Sequence, residues 1–453
     1  MELARSKVVE PVLICGSNIK VGEIVRLVPS KPTPTGILYL SNIDLAVVFP
    51  VETIYFFRPP TSDKPSTEDI VDKMKDWLSR LLVPYHFLAG RLQLNPGDGR
   101  LELNSNRSGI LFAGASSELT LAQLGDVSRP NPSFSNLFVR TDEFKELSNT
   151  PLMSMQVTRF KCGGFCVGLL VSHCLMDGQS AAEFLLNLAS IARGESLLIE
   201  PKFDRTSLKP HIRPHINHRQ HDLVEHRVSM PAFTASGTQV NSAKKLPEIR
   251  SCRTFTLTPE MLKRLKRTAM KDNTISKCST FDVIVAHIWQ ARTKAVFQDP
   301  TQKSTVSFVV DIRSKVNPPL PKGFVGNGVV TAYATALARD VKENPLSYCV
   351  AEIQKAIASI TDDYVRSRID MLEFHRGIPV GNSGNFFLSP WWKLPFHELD
   401  FGWGKPVYAG PIVSNIAAHF VLVLSNGSHE GINVWITLGP AQMKNFEQFV
   451  SKL

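Results

Sequence analysis

A histidine four residues ahead of an aspartate, in SHCLMDG at 172–178, is the arrangement in this chain best suited to moving protons. The imidazole of His173 has an ordinary pKa of about 6.5, so near neutral pH it can take a proton and return it. Transfer of an acyl group from a thioester to an alcohol needs both acts, first for the alcohol proton and then for the departing thiolate. Positioned general catalysis of this kind contributes roughly 10²–10⁴ in rate. The spacing alone does not select the residue, because His218 and Asp222 repeat it within 209–226. The flanks do. His173 ends FCVGLLVS at 165–172, a continuous apolar run that reads as a buried strand, and the amphipathic stretch 180–193 follows it. His218 sits in KPHIRPHINHRQHDLVEH, polar, proline-containing and without period. A corner between strand and helix holds a side chain rigidly; a polar loop does not.

Asp177 reads as a residue of the helix start, where a carboxylate favours the positive end of the dipole, and Gly178 turns the chain away from the histidine. Ser180 and Glu183 have the spacing of a capping box. A serine hydrolase lacks its nucleophile: no GxSxG is present, and Ser172 and His173 point to opposite faces of a strand. The second distinctive segment, DFGWG at 400–404, is followed by Lys405 and Pro406. Its first three letters resemble a kinase signature, but no HRD-type loop, glycine-rich loop or strand lysine accompanies them. Asp400, Gly402, Trp403 and Gly404 instead describe a tight loop anchored by aromatics. The five histidines within 211–226 have no repeated spacing and no cysteine partners, so no metal site is expected.

These segments need elements to position them. Residues 36–57 hold two apolar runs consistent with strands, and 67–82 carries Ile70, Met74, Trp77, Leu78 and Leu81 at helical spacing. Residues 253–258 read as a strand, Pro259 opens a helix, and 279–297 is a long helix capped by Ser279. A strand at 305–313, a helix at 345–360, strands at 417–425 and 431–438 and a short terminal helix complete the pattern. Between the halves, 195–245 is rich in Lys, Arg, His, Pro, Ser and Asn and lacks periodicity. The expected organisation is therefore a first domain over 1–195, a crossover loop over 196–245 and a second domain over 246–453.

A chain of 453 residues with 43% hydrophobic and 20% charged residues is ordinary globular material, too long for one core. The net charge of +10 is spread along the sequence, which argues against nucleic acid and would suit an anionic substrate. Seven cysteines, without CxxC or disulfide-like spacing, fit a reducing compartment. No apolar run reaches the ~18 residues that span a bilayer. A cytoplasmic protein is expected, or a peroxisomal one if the terminal Ser451-Lys452-Leu453 is exposed and read as an import address.

SHCLMDG and DFGWG together resemble the paired motifs of the plant BAHD acyltransferases, hydroxycinnamoyltransferase-like members among them. The likeness extends to LSNID at 40–44, LAGRL at 88–92, VDIRSKVNPPLP at 310–321, FVGN at 324–327 and WKLPFHELDFGWGKP at 392–406. It implies an α/β fold of two chloramphenicol-acetyltransferase-like domains, each a mixed β-sheet with flanking helices, joined by a long crossover loop. It implies acyl-CoA as co-substrate with no bound cofactor, His173 as base, a channel reached from opposite sides, and a ternary complex without acyl-enzyme. Asp177 would pair with Arg313 and shape the site. Ser389 and Trp391 would lie near the developing oxyanion, with Lys393 and Ser41 in the acceptor pocket. Relatives that acylate shikimate carry arginine at the position of Lys393, and a point charge is a poorer partner for a carboxylate than a planar fork. The neighbourhood of LSNID is closer to members acting on aliphatic alcohols or ω-hydroxy acids. An O-acyltransferase acting as a monomer on a small or lipophilic alcohol is the expectation. Amide formation by the same chemistry and a non-catalytic binding module are the rivals.

Overall fold

The structure, a computed structural model, describes residues 12–141, 144, 146–214, 251–374, 386–412, 420–426 and 431–451. The second HxxxD, most of the crossover and the last two residues lie outside them.

Two six-stranded mixed sheets carry the fold. In the first the order is β1 (Ile19–Leu27), β6 (Ile110–Ser117), β7 (Met153–Phe160), β8 (Phe165–Ser172), β3 (Pro50–Phe57) and β13 (Tyr408–Pro411). In the second it is β11 (Val329–Leu337), β10 (Lys303–Asp311), β12 (Phe386–Pro390), β14 (Phe420–Ser425), β15 (Ile432–Leu438) and β9 (Ser251–Leu257). A small sheet of β2 (Gly36–Leu38), β5 (Leu101–Ser105) and β4 (Arg91–Leu94) lies beside the first. β8 is covered on both faces, which is why its sequence is apolar throughout rather than alternating. Gly168 in its middle is required by contact: a Cβ there would stand 2.1 Å from the carbonyl oxygen of Leu137.

The helices follow their local signals. α1 (Asn42–Leu45) is a single turn that begins within LSNID, where the apolar pattern suggested only strands. α2 (Ile70–Leu81) buries all five residues of its expected face. α3 (Gly178–Ala192) starts after His173, α4 (Pro259–Met270) has Pro259 at its first position, and α5 (Thr280–Val296) has a capping box between Ser279 and Asp282. α6 (Ala338–Glu343), α7 (Leu346–Ala358), α8 (Asp362–Phe374) and α9 (Pro440–Val450) complete the α-helices among the described residues.

One crossing matters for the site. Tyr408–Pro411 lies in the second half of the sequence, yet β13 pairs antiparallel with β3 at the edge of the first sheet. Phe396, Leu399, Phe401 and Ala409 accordingly pack in the core of the first sheet. A third apolar cluster joins the halves, with Ile54, Phe56, Leu170 and Tyr408 from one side and Leu422, Leu424 and Trp435 from the other.

Candidate active site

His173 stands where β8 ends, and its main chain is tied on both sides. Its N–H donates to Phe49 O at 2.8 Å, and its carbonyl accepts from Asn327 Nδ2 at 2.8 Å. The Phe49 ring meets the imidazole edge-on at 5.3 Å. Nδ1 is buried and has no hydrogen-bond partner among the described residues. Among the described residues no carboxylate bonds Nδ1, so the arrangement differs from a Ser-His-Asp triad.

Asp177 is occupied elsewhere. It is the N-cap of α3, and its Oδ1 accepts from Ser180 N and from Arg313 Nη2, each at 2.9 Å. Its Oδ2 accepts from Gly328 N at 2.9 Å. The expected capping box at Ser180 and Glu183 is therefore displaced by one turn of chain. Ser180 is the third residue after the cap, its hydroxyl is spent on the carbonyls of Phe324 and Gly326, and Glu183 accepts from Gln179. Burial alone would lower the pKa of Arg313; the Asp177 carboxylate outweighs it and holds the guanidinium above its ordinary range. Gly328 leaves room for this pair, because a Cβ there would lie 2.7 Å from Arg313 Cζ. Gly328→Ala is expected to push Arg313 off Asp177, at about 1–3 kcal/mol for overpacking. A thermal melt run beside the turnover rate would check it; an unchanged melting temperature would count against the clamp.

The serine and cysteine that flank His173 are poor nucleophiles. Ser172 Oγ and Cys174 Sγ lie 3.2 Å apart and contact each other, and burial pushes the Cys174 thiol up to about 12. A covalent Cys–His mechanism needs a thiolate near neutral pH, which that environment denies.

DFGWG forms a scaffold. Asp400 Oδ1 accepts from Gly402 N at 2.7 Å and Gly404 N at 2.9 Å. Both glycines have φ near +100° (103° and 99°), a conformation that other residues rarely adopt. The aromatic pair of the loop is inserted into the first half: Phe401 meets Phe57 and Trp77, and Trp403 packs on Trp77 and Phe165 while its indole donates to Pro65 O at 2.8 Å. The loop thus launches β13 along β3.

From the second half come Ser389, at the end of β12, and the two tryptophans after it. Trp391 Nε1 donates to Ser389 Oγ at 2.8 Å, so the serine keeps its own proton to donate. Trp391 packs on Phe396 and touches both the core of the first sheet and the cluster that joins the halves, whereas Trp392 turns the other way and stacks with Phe281. Leu394 covers Gly178: a Cβ on that glycine would meet Leu394 Cδ1 at 2.6 Å. Lys393 is exposed. Ser41, expected in the acceptor pocket, is instead fully buried and caps α1, donating to Asp44 Oδ2 at 2.6 Å. Its proton is committed to that carboxylate, and its oxygen accepts from Asp44 N at 3.2 Å.

Three residues without an expected role support the turn that carries His173. Asp44 and Arg205, both with fully buried side chains, form an ion pair at 2.7 Å. Arg205 Nη2 also donates to Leu175 O at 3.0 Å, and Asn327 donates to Asp44 Oδ1 as well as to His173. The signals were present as LSNID and FVGN, but Arg205 lies in the crossover whose composition suggested solvent.

The family profile described as Transferase family matches residues 18–453. Acyltransferase GLAUCE of Arabidopsis thaliana is 33% identical over 97% of both chains. Omega-hydroxypalmitate O-feruloyl transferase of the same plant is 35% identical over 93% of this chain and 90% of its own. Anthranilate N-benzoyltransferase protein 1 of Dianthus caryophyllus is 32% identical over 95% and 98%. Vinorine synthase superposes with a TM-score of 0.73 over 94% of this chain and 96% of its own, at 21% identity. F. graminearum TRI101, solved with coenzyme A and T-2 mycotoxin, gives 0.76 over 91% and 97%, at 15% identity. The two sheets, the paired motifs and a match across nearly the whole sequence have one explanation: this chain belongs to the BAHD family of acyltransferases.

Proposed function

We propose that this protein moves an acyl group, hydroxycinnamoyl or another aromatic by preference, from coenzyme A to the hydroxyl of a small or lipophilic acceptor. His173 Nε2 takes the acceptor proton as the oxygen attacks the thioester carbonyl. The C–S bond of the tetrahedral intermediate then breaks, and the same nitrogen returns the proton to the thiolate. Charge on the intermediate falls to the Ser389 hydroxyl, held in orientation by Trp391. The observation that carries this reading is His173 tied at a strand end with no competent serine, cysteine or carboxylate partner beside it among the described residues. Such a histidine suits direct transfer.

Coenzyme A carries a long arm with two amides, and we place it along one row of the second sheet. Ser389, Leu422, Trp435 and Thr254 are cross-strand partners in a line from β12 to the edge strand β9. Trp435 Nε1 and Thr254 Oγ1 are buried without hydrogen-bond partners among the described residues. Buried donors of this kind favour a ligand that can accept from them.

The test is free-thiol release from a panel of acetyl-, malonyl-, benzoyl-, coumaroyl-, feruloyl- and long-chain acyl-CoAs against pooled small alcohols, fatty alcohols and amines. Release that depends on an alcohol with an aromatic donor supports the reading; release with amines alone transfers it to amide formation, the reaction named for the Dianthus relative. Silence from folded protein across the panel would remove it. Ser389→Ala is expected to lower kcat by about 10²-fold with little change in KM, the usual effect of losing one oxyanion donor. Equal kcat in the variant would take the serine out of the mechanism.

A further inference from the structure

We infer that Asn327, hung from the buried Asp44–Arg205 pair, is the positioning residue for the base. This rests on the reading of His173 as the group that takes the acceptor proton. A catalytic histidine is commonly aimed by a hydrogen bond at its second ring nitrogen. His173 has none there among the described residues. The ring direction is therefore set by the backbone that carries it and by the edge of Phe49.

That backbone is a turn, and its carbonyls are held by one assembly. His173 O accepts from Asn327 Nδ2 at 2.8 Å and Leu175 O accepts from Arg205 Nη2 at 3.0 Å. Both donors end on the same carboxylate. Asp44 Oδ1 accepts from Asn327 N at 2.9 Å and from Asn327 Nδ2 at 2.8 Å, and Asp44 Oδ2 accepts from Arg205 Nε at 2.7 Å. The guanidinium is held flat over Phe203, with Cζ 3.6 Å from the ring centroid. Asp44 and Arg205 are fully buried and Asn327 is 1% exposed, so water does not compete for these bonds.

The next residue extends the same logic to the motif aspartate. The adjacent amides of Asn327 and Gly328 donate to different carboxylates, Asp44 and Asp177. The two ends of the turn that carries the histidine are thereby referred to one short segment of the second half. Asn327 fixes where His173 stands; Gly328 fixes where α3 begins. Neither touches the reacting atoms. A shift of about 1 Å at a base can cost on the order of 10²-fold in rate even when its origin is remote.

The experiment compares three variants of the full chain, using the donor and acceptor found by thiol release. Asn327→Ala removes the carbonyl clamp. Asn187→Ala is the matched control, because Asn187 is also fully buried and its Nδ2 donates to Tyr85 Oη at 3.1 Å and Ile199 O at 2.7 Å. His173→Ala reports on the base itself. The expected result is a kcat lower by about 10–100-fold for Asn327→Ala, with KM for both substrates within about 3-fold of the wild type. Asn187→Ala should lose comparable melting temperature and keep its kcat. If Asn327→Ala fails to fold, Arg205→Lys carries the same expectation, since lysine keeps the charge against Asp44 but lacks the fork that also reaches Leu175. A kcat in Asn327→Ala or Arg205→Lys equal to that of the control, with His173→Ala inactive, would overturn the positioning role alone. Full activity in His173→Ala would overturn the base assignment and this inference with it.

Discussion

His173→Ala should reduce acyl transfer by roughly 10²–10⁴-fold while leaving a folded protein that still binds acyl-CoA. The size follows from the loss of both proton transfers, one to the base and one from it. Folding should survive because the ties at this position are made by the main chain: the N–H to Phe49 and the carbonyl to Asn327 persist in alanine. The imidazole has no hydrogen bond at Nδ1 to forfeit among the described residues, and it meets Phe49 only by its edge. A residual rate above background is expected from proximity and from the Ser389 hydroxyl. The measurement is single-turnover thiol release with wild type and variant at matched acyl-CoA occupancy. A variant keeping most of its rate would remove general-base catalysis at this residue.

Asp44→Ala should be the most destabilising substitution near the site, by about 3–5 kcal/mol, because it strands the charge of Arg205 in a fully buried position. The carboxylate accepts from Ser41 N, Ser41 Oγ, Arg205 Nε, Asn327 N and Asn327 Nδ2, and alanine replaces none of these. A fall in melting temperature on the order of 10 °C corresponds to that loss for a domain of this size. Replacing Arg205 by methionine in the same chain should restore part of the loss, since the uncompensated charge leaves with it. Thermal melts of the single and double variants decide the matter; a single variant that melts with the wild type would show that the pair holds nothing.

The elements were legible wherever a local rule governs them. α2 buries the face its period describes, α5 begins at the serine that caps it, and β8 is apolar because both of its faces are covered. His173, Asp177, Arg313 and the DFGWG loop were legible because short motifs carry them. The assembly of Asp44, Arg205 and Asn327 was not. Arg205 stands 161 positions from Asp44, and Asn327 stands 154 from His173, so no local pattern relates them. Arg205 was further concealed by its neighbours, whose charge and prolines describe a solvated crossover. Ser41 was misplaced for a related reason: a serine ahead of an acid three residues on is a helix cap, and the single turn it caps is too short to show a period.

The return of β13 to the first sheet bears on how this enzyme could be divided or recombined. Cutting the gene in the crossover, at the point where the composition changes, would leave β3 as a bare eight-residue edge carrying the buried Ile54, Tyr55, Phe56 and Phe57. Exposed apolar edges of that length invite pairing with other chains. A hybrid joined there would also bring the aromatic plug of one parent, Phe401 and Trp403, into a socket of the other built around Trp77 and Phe165. The unit of exchange is therefore interleaved: the first half travels with residues 394–411, and a recombinant respecting only the linear boundary inherits a mismatched edge.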